Sequence, residues 1–355
     1  MRKEKTVVLI VNLGTPDSPS RWDVYTYLRE FLSDPRVIDV NPILRFLLVN
    51  GVIAPFRSKE SSKVYKEVWT DEGSPLLLYS ESFTSKLKKE LGEEIHVELA
   101  MRYKNPSLTK KLLKIREMKA DRILVVPMFP QYASATTGSI HDKVMEVVST
   151  WETIPEVNFI NNFYSEPSFI NSFVNIGRKY NPENYEHILF SYHGLPQRHL
   201  VKSDPGNHCL KKENCCGSIC DDNHFCYSAQ CYETTRLLTE ELSIPKEKYS
   251  ICFQSRLGKD PWTQPYTSDV IEELAEKGVK RVLVFCPAFV TDCLETTIEI
   301  GEEYNEEFVE KGGEKLELVH SLNDEDFWVE GFAKYLQSYL NAGNPISKIT
   351  GSPSV

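Results

Sequence analysis

The sequence predicts an α/β protein made of two similar Rossmann-like domains, each a doubly wound parallel sheet. Apolar runs alternate with helix-compatible stretches, four such runs recur in the same order, and the 355 residues are enough for two ordinary domains. Strands that alternate with helices imply βαβ units and a parallel sheet.

The first pair of runs is 8–16 and 188–196. Each is apolar and stops at Gly and Pro, which reads as a buried strand ending in a tight turn. Gly14 aligns with Gly194 and Pro16 with Pro196, while His193 stands in the place of Leu13. The second pair is 97–103, ending Met101-Arg102-Tyr103, and 250–257, containing Gln254-Ser255-Arg256. The third is 122–129 and 281–289, the second copy carrying one extra residue before its proline. The fourth is 157–163 and 316–322. Helix-compatible sequence follows the runs, as at 108–118 and 268–277. One pair could arise by chance, because buried parallel strands are uniformly rich in Val, Ile and Leu. Four pairs in order imply a duplicated unit, with domains at 1–165 and 166–340. The tail 341–355, rich in Gly, Pro and Ser, is expected to be disordered. Ligands of open α/β sheets sit outside the carboxyl ends of the strands. The expected site is therefore the cleft between the halves. His193 is placed for catalysis or metal binding, the ordinary alternative being a strand-end histidine that bonds the next loop.

Hydrophobic content of 41% and charged content of 26% describe an ordinary globular protein. The net charge of −10 excludes nucleic acid as a main partner, since phosphate binding needs a basic face. Residues 1–5 lead straight into the first strand with no signal peptide, which predicts a cytoplasmic protein. No apolar run is long enough to span a bilayer. The segment 43–56 is unusually apolar. It reads either as a buried helix of the first domain or as an apolar lip that touches a membrane surface or a hydrophobic ligand.

After the strand at 282–285 the chain predicts a helix with Thr291 or Asp292 as N-cap. Glu295, Glu299 and Glu303 then share one face at i, i+4 and i+8. Like charges at that spacing repel. A solvated surface tolerates this, but a row of carboxylates leading out of a cleft also passes divalent cations or protons. Oxygen and imidazole ligands suit first-row divalent metals, so His193 and Glu295 are expected to face each other across a ligand.

The chain resembles the ferrochelatases over nearly its whole length, from about residue 7 to about residue 339. The resemblance rests on Asn12-Leu13-Gly14-Thr15-Pro16-Asp17, Gly73-Ser74-Pro75-Leu76, Met101-Arg102-Tyr103, and Pro130-Gln131-Tyr132 with Thr136-Thr137-Gly138-Ser139. It continues through Phe190-Ser191-Tyr192-His193-Gly194-Leu195-Pro196, Gln254-Ser255-Arg256 with Pro261-Trp262, and Asp292-Cys293-Leu294-Glu295-Thr296. It implies insertion of ferrous iron into a porphyrin, the last step of haem synthesis, with the porphyrin held between the two domains. It makes His193 the invariant histidine and Glu295 the catalytic glutamate, with Asp292 also matching. Glu299 and Glu303 become a metal path, Arg102 and Tyr103 pocket residues, and Trp262 a tryptophan beside the macrocycle. The ordinary alternatives are core packing for Trp262 and a structural ion pair for Arg102. Two pyrrole protons must leave as the metal enters, and a neutral imidazole can accept one. His193 is therefore expected to act as base, or as first ligand of the iron. Arg102 suits a propionate. No nucleotide cofactor is expected, because the first strand ends in Gly14-Thr15-Pro16 and not in G-x-G-x-x-G.

Six of the nine cysteines, Cys209, Cys215, Cys216, Cys220, Cys226 and Cys231, lie between 209 and 231. Without a signal peptide they read as metal ligands and not as disulfides. The resemblance implies a [2Fe–2S] cluster whose ligands have moved into an insert at about 206–231. Ser134 stands where the animal enzymes have one ligand, and no cysteine follows Cys293. The favoured ligands are Cys209, Cys216, Cys220 and Cys226, with Cys215 the rival of Cys216, while Cys231 fits the following helix. The alternative is structural zinc on the same thiolates, helped by His208 or His224. Either centre is expected to be structural or regulatory.

The resemblance therefore predicts a protoporphyrin IX ferrochelatase, with Fe2+ as substrate and possible peripheral membrane contact. The alternatives are a chelatase for coproporphyrin or another tetrapyrrole, and a porphyrin or metal carrier without catalysis. A carrier could dispense with both His193 and Glu295, and this chain keeps both.

Overall fold

The computed structural model describes residues 3–212, 214–258 and 260–342. The first half runs β1 (Thr6–Asn12), α1 (Arg21–Leu32), α2 (Pro42–Leu47), α3 (Ala54–Val68), α4 (Pro75–Leu91), β2 (Ile95–Met101), α5 (Leu108–Glu117), β3 (Arg122–Pro127), α6 (Ser139–Val148) and β4 (Glu156–Phe159). The second runs α7 (Pro167–Lys179), β5 (His187–His193), α8 (Gln197–Lys202), α9 (Tyr227–Glu241), β6 (Tyr249–Gln254), α10 (Thr267–Glu276), β7 (Arg281–Phe285), α11 (Tyr304–Glu310), β8 (Lys315–Leu318) and α12 (Asp326–Ala342). The strands form two four-stranded sheets, ordered β2-β1-β3-β4 and β6-β5-β7-β8, with every pairing parallel. The same permutation in both sheets is the duplication read from the four pairs of runs.

The central strands are apolar along their length because helices cover both faces. All six residues of β3 are buried, as are the last six of β1. The edge strands are shorter than the runs 157–163 and 316–322 suggest. β3 ends at Pro127, which has no N–H for a ladder, and β7 stops just before Pro287.

The echo of Gly14 and Gly194 has a steric cause. A Cβ on Gly14 would lie 2.0 Å from the Tyr103 carbonyl oxygen, and the residue has φ +111°. A Cβ on Gly194 would lie 2.7 Å from the Gln254 carbonyl oxygen. In each half the chain leaving the central strand passes too close to the neighbouring strand's end for any side chain. The likeness extends beyond the sequence motifs. Cis peptides precede Pro106 and Pro265, whose carbonyls accept from Met101 N–H (2.7 Å) and Phe253 N–H (2.9 Å). Both halves also enter their next helix through a π-helical segment, Ser134–Gly138 and Glu295–Glu303.

The outer face of each sheet has its own apolar cluster, but the inner faces share one. Val8, Ile10, Phe83 and Leu124 of the first half belong to the same core as Phe173, Phe190, Phe285 and Trp328 of the second. Helix α12 makes the link by packing on α7 and on α4, with Trp328 beside Phe83, Phe163 and Phe169. The boundary expected at 165/166 falls between β4 and α7. Of the tail expected to be disordered, residues 341 and 342 end α12, and the rest lies outside the described residues.

Two local expectations are corrected. The apolar segment 43–56 is not a buried helix. It is broken into α2, a π-helical turn Leu48–Ile53 and the start of α3. Ile43, Phe46, Leu47 and Phe56 are exposed, as is the nearby Trp22. The helix after β7 is not capped by Thr291 or Asp292. It starts from Leu294 as a nine-residue π-helix before becoming α11.

Candidate active site

In a sheet ordered 2-1-3-4 the chain reverses direction at the first strand, and the crevice opens there at the strand ends. In the second half that point is the carboxyl end of β5 beside β7, occupied by His193 and by the segment leading to Glu295. The His193 Nδ1 lies 2.6 Å from the Gly194 carbonyl oxygen. A carbonyl only accepts, so Nδ1 carries the hydrogen, and the neutral ring keeps its lone pair on Nε2.

The turn after His193 is clamped. Gly194 N–H donates to the Gln254 carbonyl (2.8 Å), and Leu195 exchanges bonds with Thr263. Pro196 pairs with Trp262, which is 9% exposed. Tyr227, the first residue of α9, donates its hydroxyl to the His193 carbonyl oxygen at 2.9 Å.

Glu295 opens the π-helix, and its carbonyl accepts from Gln254 Nε2 at 2.7 Å. Its carboxylate adds to burial in pushing up the Tyr27 and Tyr65 hydroxyls, which places it opposite α1 and α3 of the first half. One turn on, Glu299 accepts from Ser255 N–H (2.8 Å), Ser255 Oγ (2.6 Å) and Gln254 Nε2 (3.1 Å). Burial raises the Glu299 pKa, against these donors. Glu303 is exposed, so the row runs from cleft to solvent. In a π-helix, successive i+4 positions drift by about 30° in the sense opposite to the α-helical drift, which keeps the three carboxylates on one side.

Asp292 is buried beneath this helix. Its Oδ1 accepts from Ser321 N–H (3.0 Å) and Thr296 Oγ1 (3.1 Å), and its Oδ2 from Asn323 Nδ2 (2.7 Å). These bonds fix the entry to the π-helix and hence the start of the carboxylate row.

The first half carries the equivalent junction with different residues. Arg102 Nη2 meets Asp34 Oδ2 at 2.5 Å, and its Nε donates to Ser139 Oγ at 2.7 Å. Tyr103 Oη and Ser139 Oγ both donate to the same Asp34 oxygen, at 2.9 and 2.6 Å. Burial pushes the Asp34 pKa up, but these donors outweigh it and the net shift is downward. Aligning the halves sets Arg102, Tyr103 and Ser139 on Gln254, Ser255 and Glu299. A sealed structural cluster in one half thus corresponds to the polar support of the carboxylate row in the other.

A ferrochelatase family model matches residues 5–340. The chain belongs to the ferrochelatase family. It is 43% identical over 337 residues to a ferrochelatase of Coxiella burnetii (strain Dugway 5J108-111), covering 95% of this chain and 94% of that one. It is 43% identical over 334 residues to a ferrochelatase of Legionella pneumophila (strain Lens), covering 94% and 98%. Among solved structures, the sirohydrochlorin chelatase SirB from Bacillus subtilis subspecies spizizenii in complex with cobalt superposes with a TM-score of 0.54. That match has 12% identity over 97% of this chain and 98% of that one, a likeness of fold.

In this ferrochelatase-family chain the cysteine-rich insert lies between α8 and α9, with Cys226 at the α9 N-cap. Cys231 is on α9 and fully buried. The Cys215 and Cys216 sulfurs lie 3.7 Å apart. The neighbouring Cys216 thiol lowers the Cys226 pKa, and burial pushes Cys209 up to about 11. Cys209, Cys215, Cys216 and Cys226 line one cavity of about 330 Å³, whereas Cys220 is exposed and is not among its lining residues. Four thiols lining one space of this size fit a thiolate-held metal centre.

Gln254, Ser255, Tyr227, Asp34, Tyr27 and Tyr65 were not singled out as site residues by the sequence. Gln254 and Ser255 do close a repeated run, and Tyr227 directly follows a cysteine of the insert.

Proposed function

We propose that the chain is a protoporphyrin ferrochelatase, inserting Fe2+ into protoporphyrin IX to form protohaem. The observation that carries this is the Nδ1 hydrogen bond of His193. It leaves Nε2 as the proton acceptor at a strand end, within electrostatic reach of Glu299 in the carboxylate row that begins at Glu295.

In this reading His193 takes a pyrrole proton as the metal enters, and Glu295 holds the metal side of the exchange. Glu299 and Glu303 form the route between solvent and cleft, along which hydrated Fe2+ moves inward or protons outward. Asp292 is a positioning residue for that route. Arg102 and Tyr103, locked to Asp34, brace the first half from within, and Trp262 backs the turn that carries His193. No redox change is needed, because iron enters and leaves the reaction as Fe2+.

The insert's thiols Cys209, Cys215, Cys216 and Cys226 would hold a [2Fe–2S] cluster, which supplies a one-electron redox centre and ties the insert together. The sequence favoured Cys209, Cys216, Cys220 and Cys226, with Cys215 the rival of Cys216; the shared cavity supports Cys215 beside Cys216 in place of Cys220. The exposed apolar face of Trp22, Ile43, Phe46, Leu47 and Phe56 would rest on a membrane surface and admit an apolar porphyrin. Among the described residues no helix is long and apolar enough to cross a membrane.

The test is to follow the Soret band of protoporphyrin IX as Fe2+ is added anaerobically. Free base should convert to haem, and His193→Ala should abolish conversion while still binding porphyrin. Faster conversion of coproporphyrin would reassign the substrate. Tight porphyrin binding without insertion would make the protein a carrier.

A further inference from the structure

We propose that the insert contains a second metal site, for a single divalent ion of the zinc class, formed by His208, Cys220 and Asp222. One donor atom from each of the three lies within 4.8 Å of the other two. The site adjoins the thiol-lined cavity, whose wall His208 and Asp222 share, but it uses none of the four thiols assigned to that cavity.

The histidine geometry is that of a ligand. Its Nε2 lies 3.2 Å from the Cys215 carbonyl oxygen, which only accepts, so Nε2 carries the hydrogen. The lone pair of the neutral ring is then on Nδ1, which faces Asp222 Oδ2 at 3.7 Å. That separation is too long for a hydrogen bond. It is close to the ~3.4 Å expected between nitrogen and oxygen ligands on a tetrahedral ion with bonds of about 2.0–2.1 Å. A backbone carbonyl that fixes the tautomer of the opposite nitrogen is the usual support of a metal-binding imidazole.

The other two ligands are also held. Asn223, 4% exposed, accepts from Cys220 N–H (2.7 Å) and donates to the carbonyls of Ser218 (2.8 Å) and Cys215 (3.0 Å). One buried side chain therefore sets the turn that presents Cys220 and Asp222. It shares the Cys215 carbonyl with His208. A thiolate, a carboxylate and a neutral imidazole cancel the charge of a divalent ion, and mixed sulfur, nitrogen and oxygen donors suit zinc. Three protein ligands leave the fourth position to solvent, so the ion should exchange.

The experiment is a zinc titration of the full-length protein, with its thiolate centre loaded, against a chromophoric chelator. The visible spectrum and iron content are recorded in parallel. Wild type should bind one more zinc per chain than His208→Ala or Cys220→Ser, and Asp222→Asn should weaken that site by about tenfold or more. Zinc taken up in the cleft is common to all variants and cancels. The spectrum and iron content should be unchanged in all three. Equal zinc uptake by wild type and variants would overturn the site. Loss of the spectrum in Cys220→Ser would return Cys220 to the thiolate set and overturn it equally.

Discussion

Gly194→Ala offers a direct test of how the turn after β5 holds His193. The new Cβ would meet the Gln254 carbonyl oxygen at 2.7 Å and Trp262 Cε3 at 3.2 Å, whereas ordinary contact begins near 3.4 Å. The ends of β5 and β6 must therefore part by about 0.7 Å, against the Gly194 N–H bond to the same carbonyl. Overpacking of this kind costs about 1–3 kcal/mol. For a chain of this length that corresponds to a Tm loss of roughly 1–2 °C per kcal/mol. The displaced residue adjoins the proposed base, and a shift approaching 1 Å at a reacting group costs on the order of 100-fold. Turnover by the folded fraction should fall by about 10- to 100-fold. Gly14→Ala is the control from the other half. Its Cβ would lie 2.0 Å from the Tyr103 carbonyl at φ +111°, so it should destabilise more, with a smaller loss of turnover per folded molecule. The assay pairs thermal melts with anaerobic haem formation. The reasoning is refuted if Gly194→Ala turns over like wild type, or if both variants lose activity only in proportion to the fraction unfolded.

Tyr227→Phe removes the donor to the His193 carbonyl and should cost about 1–3 kcal/mol. A lower kcat with little change in KM marks a positioning role; unchanged kinetics would assign the bond to stability alone. Glu299→Gln tests the buried carboxyl of the row. Burial raises its folded pKa, so its contribution to stability is full below the ordinary glutamate range and is lost as pH rises through the folded value. With chelator present, the variant should lose less stability than wild type as pH rises above the ordinary glutamate range, as read by denaturant melts; parallel curves would show that the shift is absent. Asp292→Asn turns an acceptor toward Asn323 or Ser321 into a donor and should destabilise by about 1–3 kcal/mol. It should also slow metal insertion without weakening porphyrin binding, and a loss of binding instead would place Asp292 in contact with the ring.

The sheets were legible because a strand covered on both faces must be apolar throughout, as β1 and β3 are. Gly14 and Gly194 were legible as an echo, though only the structure shows the carbonyl that each must pass. The π-helix at Glu295–Glu303 was not legible, since residue types alone do not distinguish five-residue from four-residue hydrogen bonding. The partners of Arg102 were equally hidden. Asp34 lies 68 positions away in a loop with no pattern of its own. The lip was ambiguous because apolar content alone does not say whether a segment faces a core or projects from it. In the insert, spacing pointed to thiol ligands, but not to the meeting of Cys220 with His208 and Asp222.

The merged inner core has a mechanical consequence for the cleft. In a clamshell protein the lobes swing on a hinge and the gap closes around its ligand. Here Phe83, Phe163, Phe169 and Trp328 are interlocked behind the cleft, and separating the lobes would strip apolar surface from both at once. The gape is thus set when the chain folds and behaves as a vice with fixed jaws. A flat macrocycle admitted to it must conform to the jaws. The work of bending the ring then falls to the stiffness of a packed interior and not to a moving domain.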